Sequence, residues 1–131
     1  MAAGAKKTVL VVEDNELNMR LFCDLLDAYG FDTLQCKDGA KAVELARENH
    51  PDLIIMDIQL PEVSGLDITR WIKDDETTRD IPVLAVTAFA MRSDEQRVRE
   101  AGCEGYLSKP IQMRSFLSTV EELTADDRQA A

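Results

Sequence analysis

The sequence predicts an α/β fold in which a parallel sheet of five strands carries helices on both faces. Two observations lead there. Short apolar runs alternate with segments of helical period along the whole chain, the pattern of linked strand–helix units. Three of those runs, Val9-Leu10-Val11-Val12, Leu53-Ile54-Ile55-Met56 and Val83-Leu84-Ala85-Val86, are apolar throughout, as strands covered on both faces are. Strict alternation of strand and helix implies right-handed parallel crossovers. A length of 131 residues suits one such domain and leaves no room for a second. The expected boundaries are a flexible segment at 1–7, a folded domain at 8–124 and a frayed tail at 125–131.

The first strand gives way to a helix from Asn15 to Tyr29, with Leu17, Leu21, Phe22, Leu25, Leu26 and Tyr29 on its predicted inner face and Gly30 as its stop. Thr33-Leu34-Gln35-Cys36 alternates polar and apolar residues, as a half-exposed strand does. A weaker helix runs from Gly39 to Asn49 with Val43 and Ala46 inward, and Pro51 ends it. The third strand reaches Asp57 and a loop containing Pro61 and Gly65, ahead of a helix expected to bury Ile68, Trp71 and Ile72. Pro82 can open the fourth strand, since the first position need not donate to the ladder, and that strand leads to Thr87. The segment Met91 to Ala101 places only Met91, Val98 and Ala101 on an apolar stripe, so its helix is held by little burial and can shift cheaply. A brief strand at Tyr106-Leu107, the Lys109-Pro110 step, and a final helix with Met113, Phe116, Leu117, Val120 and Leu123 inward complete the pattern. The alternating second strand and the short fifth belong at the edges, which fits the order 2-1-3-4-5.

Composition narrows the function. Hydrophobic residues at 45% and charged residues at 31% suit a soluble globular chain. A formal net charge of -10 with no gathered basic cluster argues against direct DNA binding and against an anionic membrane surface. Cys23, Cys36 and Cys103 form an odd set without a CxxC pair or a histidine at metal spacing, so reduced buried thiols are expected rather than a disulfide scaffold or a zinc site. The first residues lack the apolar stretch of a signal peptide, and no apolar run has transmembrane length. A cytoplasmic location without membrane insertion follows as an expectation. His50 precedes Pro51, far from the ends of the central strands, and receives no catalytic role.

In an open parallel sheet the functional crevice lies beyond the carboxyl ends of the central strands. Here those ends carry Glu13 and Asp14, then Asp57, then Thr87, with Lys109 after the fifth strand. Two like charges about 4 Å apart repel by ~4 kcal/mol at an effective dielectric of ~20. Converging carboxylates must therefore retain a proton at neutral pH or bind a hard divalent cation. Mg²⁺ is the natural guest, and with it a carboxylate can attack phosphorus while Lys109 neutralises the equatorial oxygens and Thr87 offers a hydroxyl. Each residue also has an ordinary explanation: Asp14 as a helix cap, Glu13 as a solvated loop acid, Asp57 as a polar strand end, Thr87 as a strand former, Tyr106 as a core residue and Lys109 as a surface lysine. Their joint position at the ends of four strands is harder to explain that way.

Val-Leu-Val-Val-Glu13-Asp14-Asn15, Met56-Asp57-Ile-Gln-Leu-Pro61, Ala-Val-Thr87-Ala and Tyr106-Leu-Ser-Lys109-Pro110 resemble the motifs of the response-regulator receiver family, over nearly the whole chain. The resemblance implies a flavodoxin-like (βα)5 doubly wound fold and assigns the positions. Asp57 would be the phosphoacceptor; Asp14, Asp57 and the backbone carbonyl of Gln59 would bind Mg²⁺, or Mn²⁺, directly, with Glu13 acting through water. Lys109 and Thr87 would contact the phosphoryl group, Thr87 and Tyr106 would form a switch pair, and the Lys109-Pro110 peptide would be cis. Glu13 stands where an aspartate is commoner, and Leu60 where methionine is frequent. More narrowly, Glu13 to Met19, Asp57 to Leu66 and Thr87 to Met91 resemble single-domain cell-division regulators of alphaproteobacteria. That implies sensor histidine kinases, of the DivJ and PleC kind, or histidine phosphotransferases as partners, and control of cell cycle, division or fate. With the chain ending after its fifth unit, output is expected through protein contacts of the Met91–Ala101 helix, the Tyr106 strand and the final helix. Two rivals are weaker: a haloacid-dehalogenase-like phosphatase, which needs a second aspartate where Gln59 stands, and a binding scaffold that takes no phosphate.

Overall fold

The structure, a computed structural model, describes residues 7–60, 63–88 and 92–125, with 92–94 as backbone alone. Its elements are β1 (Thr8–Val12), α1 (Glu16–Ala28), β2 (Asp32–Cys36), a 3₁₀ turn (Gly39–Lys41), α2 (Ala42–Asn49), β3 (Leu53–Asp57), α3 (Gly65–Asp74), β4 (Val83–Thr87), α4 (Arg92–Ala101), β5 (Gly105–Ser108) and α5 (Met113–Thr124). The five strands pair in parallel in the order β2-β1-β3-β4-β5. The fold class and strand order match the expectation. The expected terminal segments fall almost wholly outside the described residues, as do Pro61 and Met91.

Alternate strand residues feed two cores, because successive side chains leave opposite faces of a strand. Val9, Val11, Leu53, Ile55, Leu84 and Val86 pack under α1 and α5, where Phe22 and Phe116 stack with ring centroids 5.5 Å apart. Leu10, Val12, Ile54, Met56, Val83 and Ala85 pack under α2, α3 and α4. Among the described residues of α4, only Val98 and Ala101 join that core. All three cysteines are free and buried, and burial pushes the Cys103 thiol up to about 11.

Five apolar side chains expected inside are instead at the surface. In α1 the buried stripe is Met19, Phe22, Cys23 and Leu26, while Leu17, Leu21 and Tyr29 are 79%, 45% and 56% exposed. The sheet-facing stripe is turned by about 100°, one residue, from the leucine-rich one, so abundance of leucine misled the reading. Trp71 is 48% exposed, because α3 presents Leu66, Ile68, Thr69 and Ile72 inward and Trp71 lies a third of a turn away. Met113 is exposed as the first residue of α5, one turn ahead of buried Phe116. The helix expected from Gly39 begins instead as the 3₁₀ turn, with the Asp38 side chain accepting the Ala40 N–H at 3.1 Å. Val43 is only partly buried and Ala42 joins Ala46 inward.

At the end of the sheet opposite the strand carboxyl termini, Lys73 Nζ donates to the carbonyls of Arg79 and Ile81 at 3.2 and 2.8 Å and to Glu104 Oε2 at 2.8 Å. Glu104 Oε1 accepts the Val83 N–H at 2.9 Å. This clasp ties the start of β4 to both connections beside it. Among the described residues no helix is long and apolar enough to cross a membrane.

Candidate functional site

Parallel register brings the carboxyl ends of β1, β3, β4 and β5 to one edge. Val12 pairs with Met56, Asp57 with Val86 and Thr87 with Ser108. Glu13 and Asp14 therefore emerge beside Asp57, with Lys109 one residue past β5. Glu13 and Asp57 are buried, at 1% and 3% exposure, and Asp14 is exposed. One oxygen from each of the three carboxylates lies within 4.8 Å of the others. Lys109 Nζ sits 3.1 Å from Glu13 Oε1 and 3.6 Å from Asp57 Oδ2.

Local backbone fixes the carboxylates. Asn15 N–H donates to Glu13 Oε2 at 3.2 Å, and Gln59 N–H donates to Asp57 Oδ1 at 3.0 Å. The cap of α1 is Asn15, whose side chain accepts the Asn18 N–H at 3.0 Å. Asp14 is thus not the cap, and its carboxylate faces the crevice mouth with the other two. The reading of Glu13 as a solvated loop acid also fails, since the side chain is inside. Burial above all, then the contact and charge of Asp57, push the Glu13 carboxyl up to about 7, and the Asn15 N–H and Lys109 offset this only in part.

The remaining residues expected here occupy the same edge. Thr87 is buried at 2% exposure, and its carbonyl accepts the Lys109 N–H at 2.7 Å, which seats Lys109 beside the carboxylates. Tyr106 pairs with Ala85 in register and is half-buried against the core of α2, α3 and α4. By strand alternation Thr87 and Tyr106 share that face. The Lys109-Pro110 peptide is cis.

Sequence reading missed how tightly the loop after Asp57 is folded. Gly65 N–H donates to the Ile58 carbonyl at 3.0 Å, and Ser64 caps α3 by accepting the Leu66 N–H at 3.1 Å. A Cβ on Gly65 would strike the Asp57 carbonyl oxygen and come within 2.8 Å of Ile58 Cα. Ser64-Gly65 before a helical stretch was the available signal. Chemically, the edge offers hard oxygen donors at close range with Lys109 beside them, a set suited to a small divalent metal and to an incoming anionic group.

A parallel five-stranded sheet with acidic residues and a lysine converging at one edge is, by class, a doubly wound α/β domain with a charged edge site. Residues 9–121 match the response regulator receiver domain, and the chain belongs to that family. It is 59% identical to the polar-differentiation response regulator DivK of Brucella ovis over 120 residues, 92% of this chain and 98% of that relative. The DivK of Brucella anthropi is 58% identical over the same coverage. Among solved structures, the receiver domain of a Pseudomonas aeruginosa sensor histidine kinase, with a magnesium ion coordinated in its active site cleft, superposes with a TM-score of 0.86 at 31% identity, covering 93% of this chain and 100% of that one. The receiver domain of a Syntrophus aciditrophicus signal transduction histidine kinase gives 0.83 at 30% identity, covering 91% and 90%.

Proposed function

We propose that Asp57 accepts a phosphoryl group with Mg²⁺ and that the modification changes which proteins the domain binds. The observation that carries this reading is the carboxylate cluster of Glu13, Asp14 and Asp57, with ligand atoms within 4.8 Å and Lys109 at 3.6 Å from Asp57. Asp14, Asp57 and the Gln59 carbonyl would hold the ion, Glu13 would reach it through water, and Mn²⁺ fits the same hard donors. Bound there, the metal supplies positive charge against the phosphoryl oxygens.

An Asp57 carboxylate oxygen attacks phosphorus in line, the P–N bond of a phosphohistidine or the P–O bond of an acyl phosphate breaks, and the leaving group takes the electron pair. Lys109 then exchanges its contact with Asp57 for one with the new phosphoryl oxygens, and Thr87 brings its hydroxyl to them. Tyr106, on the same sheet face, follows Thr87 as the second member of the switch. The output face is α4, β5 and α5. Donors are sensor histidine kinases or histidine phosphotransferases, of the DivJ and PleC kind, and the process served is polar differentiation and cell division. The likeness to DivK supports these assignments.

Intact-mass measurement after incubation with acetyl phosphate and Mg²⁺ tests the reading. The native protein gains one phosphoryl group and Asp57→Asn gains none. An unmodified native protein, or an equally modified variant, overturns it.

A further inference from the structure

The side chain of Gln59 has no part in the site described above, which uses only its backbone. Yet it spans the crevice edge. Gln59 N–H donates to Asp57 Oδ1 at 3.0 Å, while its side-chain Oε1 accepts the N–H of Ala88 at 3.1 Å. Ala88 directly follows Thr87 at the end of β4 and is exposed. One residue therefore links the carboxylate on β3 to the backbone leaving β4.

We propose that the Gln59 side chain is a latch, which holds the Ala88 N–H in the resting protein and releases it when Asp57 is phosphorylated. The inference rests on the phosphorylation reading and deepens it. An N–H is a single donor, and here two acceptors compete for it. A phosphoryl group on Asp57 brings oxygens that need donors. Asp57 pairs in register with Val86, so the Ala88 N–H lies two residues beyond that pairing, at the same edge. The residue that must yield is also the one whose own N–H is bonded to the carboxylate being modified, so chemistry at Asp57 acts directly on the residue that holds Ala88.

Space beside the latch lets the release propagate. A cavity of about 170 Å³ is lined by Ile58 and Gln59 after β3, Leu66 of α3, Thr87 at the end of β4, and Arg97 and Val98 of α4. Among the described residues of α4 only Val98 and Ala101 lie in the core, so the helix has little apolar burial to lose. Gln59 is thus a positioning residue, setting the resting place of the backbone after β4.

The test compares the native protein with Gln59→Leu, which keeps bulk and removes the acceptor, and Gln59→Glu, which retains an acceptor. Amide hydrogen exchange is followed by NMR in metal-free protein, then with Mg²⁺ and acetyl phosphate. Without metal, Ala88 exchanges about fivefold faster in Gln59→Leu than in the native protein, the scale of one exposed hydrogen bond, and at near-native rate in Gln59→Glu. Resonances of residues 95–101 in resting Gln59→Leu move toward those of the phosphorylated native protein. Unchanged Ala88 exchange in Gln59→Leu overturns the latch. So does a phosphorylated native protein whose Gln59→Leu form shows no shift at residues 95–101. A native protein that gains no phosphoryl mass defeats the proposed function and the latch together, which separates the two failures.

Discussion

Neutralising Glu13 should stabilise the metal-free protein at neutral pH and remove much of its pH dependence. Glu13 is buried at 1% exposure against Asp57, and its carboxyl is held up at about 7 against an ordinary 4.5. The folded state thus binds this proton more tightly than the unfolded chain does. Stability is highest below pH 4.5 with respect to this group, falls as pH rises through about 7, and is lowest above it. The difference of 7 and 4.5 corresponds to about 3 kcal/mol at 1.36 kcal/mol per tenfold change in proton affinity. For a domain of this size that is about 10 °C in Tm. Thermal melts in EDTA from pH 5 to 8 should show the native Tm falling relative to Glu13→Gln, with the variant ahead at pH 8 and the gap closing toward pH 5. Mg²⁺ should raise the native Tm most at pH 8, where the carboxylates are charged. Parallel pH profiles for the two proteins would refute the argument that burial beside Asp57 protonates Glu13.

Gly65→Ala should cost roughly 1–3 kcal/mol in urea denaturation, since the added methyl meets the Asp57 carbonyl and Ile58 backbone; an unchanged midpoint means the turn relaxes. Ile72→Ala should cost about 2–5 kcal/mol, whereas Trp71→Ala, on a side chain 48% exposed, should cost clearly less; equal losses would contradict the packing of α3. Thr87→Ala should still take up phosphate, measured by intact mass, yet lose most of the affinity gain for a partner selective for the phosphorylated form. Full retention of that gain removes Thr87 from the coupling route.

The sheet was legible because its signal is categorical. A run such as Leu53-Ile54-Ile55-Met56 reads as a strand buried on both faces, and once three such runs are centred, their ends nominate Glu13, Asp14, Asp57 and Thr87, with Lys109 following the short fifth strand. Helix faces were less legible, because the sequence shows which residues are apolar but not which side the sheet lies on. Met19 and Cys23 are weaker hydrophobes than Leu17 and Leu21, yet they are the ones inside. Trp71 shows the same limit: its size suggests a core residue, while its angle around α3 puts it at the surface. The Gln59–Ala88 bond was invisible for another reason. Two residues 29 apart in sequence meet only through the register of β3 and β4, and neither side of that contact has a distinctive residue type.

The clasp of Lys73 and Glu104 determines how β4 can behave mechanically. Sliding the strand lengthwise would break the Val83 N–H bond to Glu104 and drag on the lysine that holds the Arg79 and Ile81 carbonyls. Its base is therefore held from both sides, and in the proposed switch the displacement would enter at the far tip, Thr87. A pull there would tilt the strand rather than slide it. Any such tilt would pivot on the Lys73–Glu104 clasp, at the opposite end of the sheet from the carboxylates.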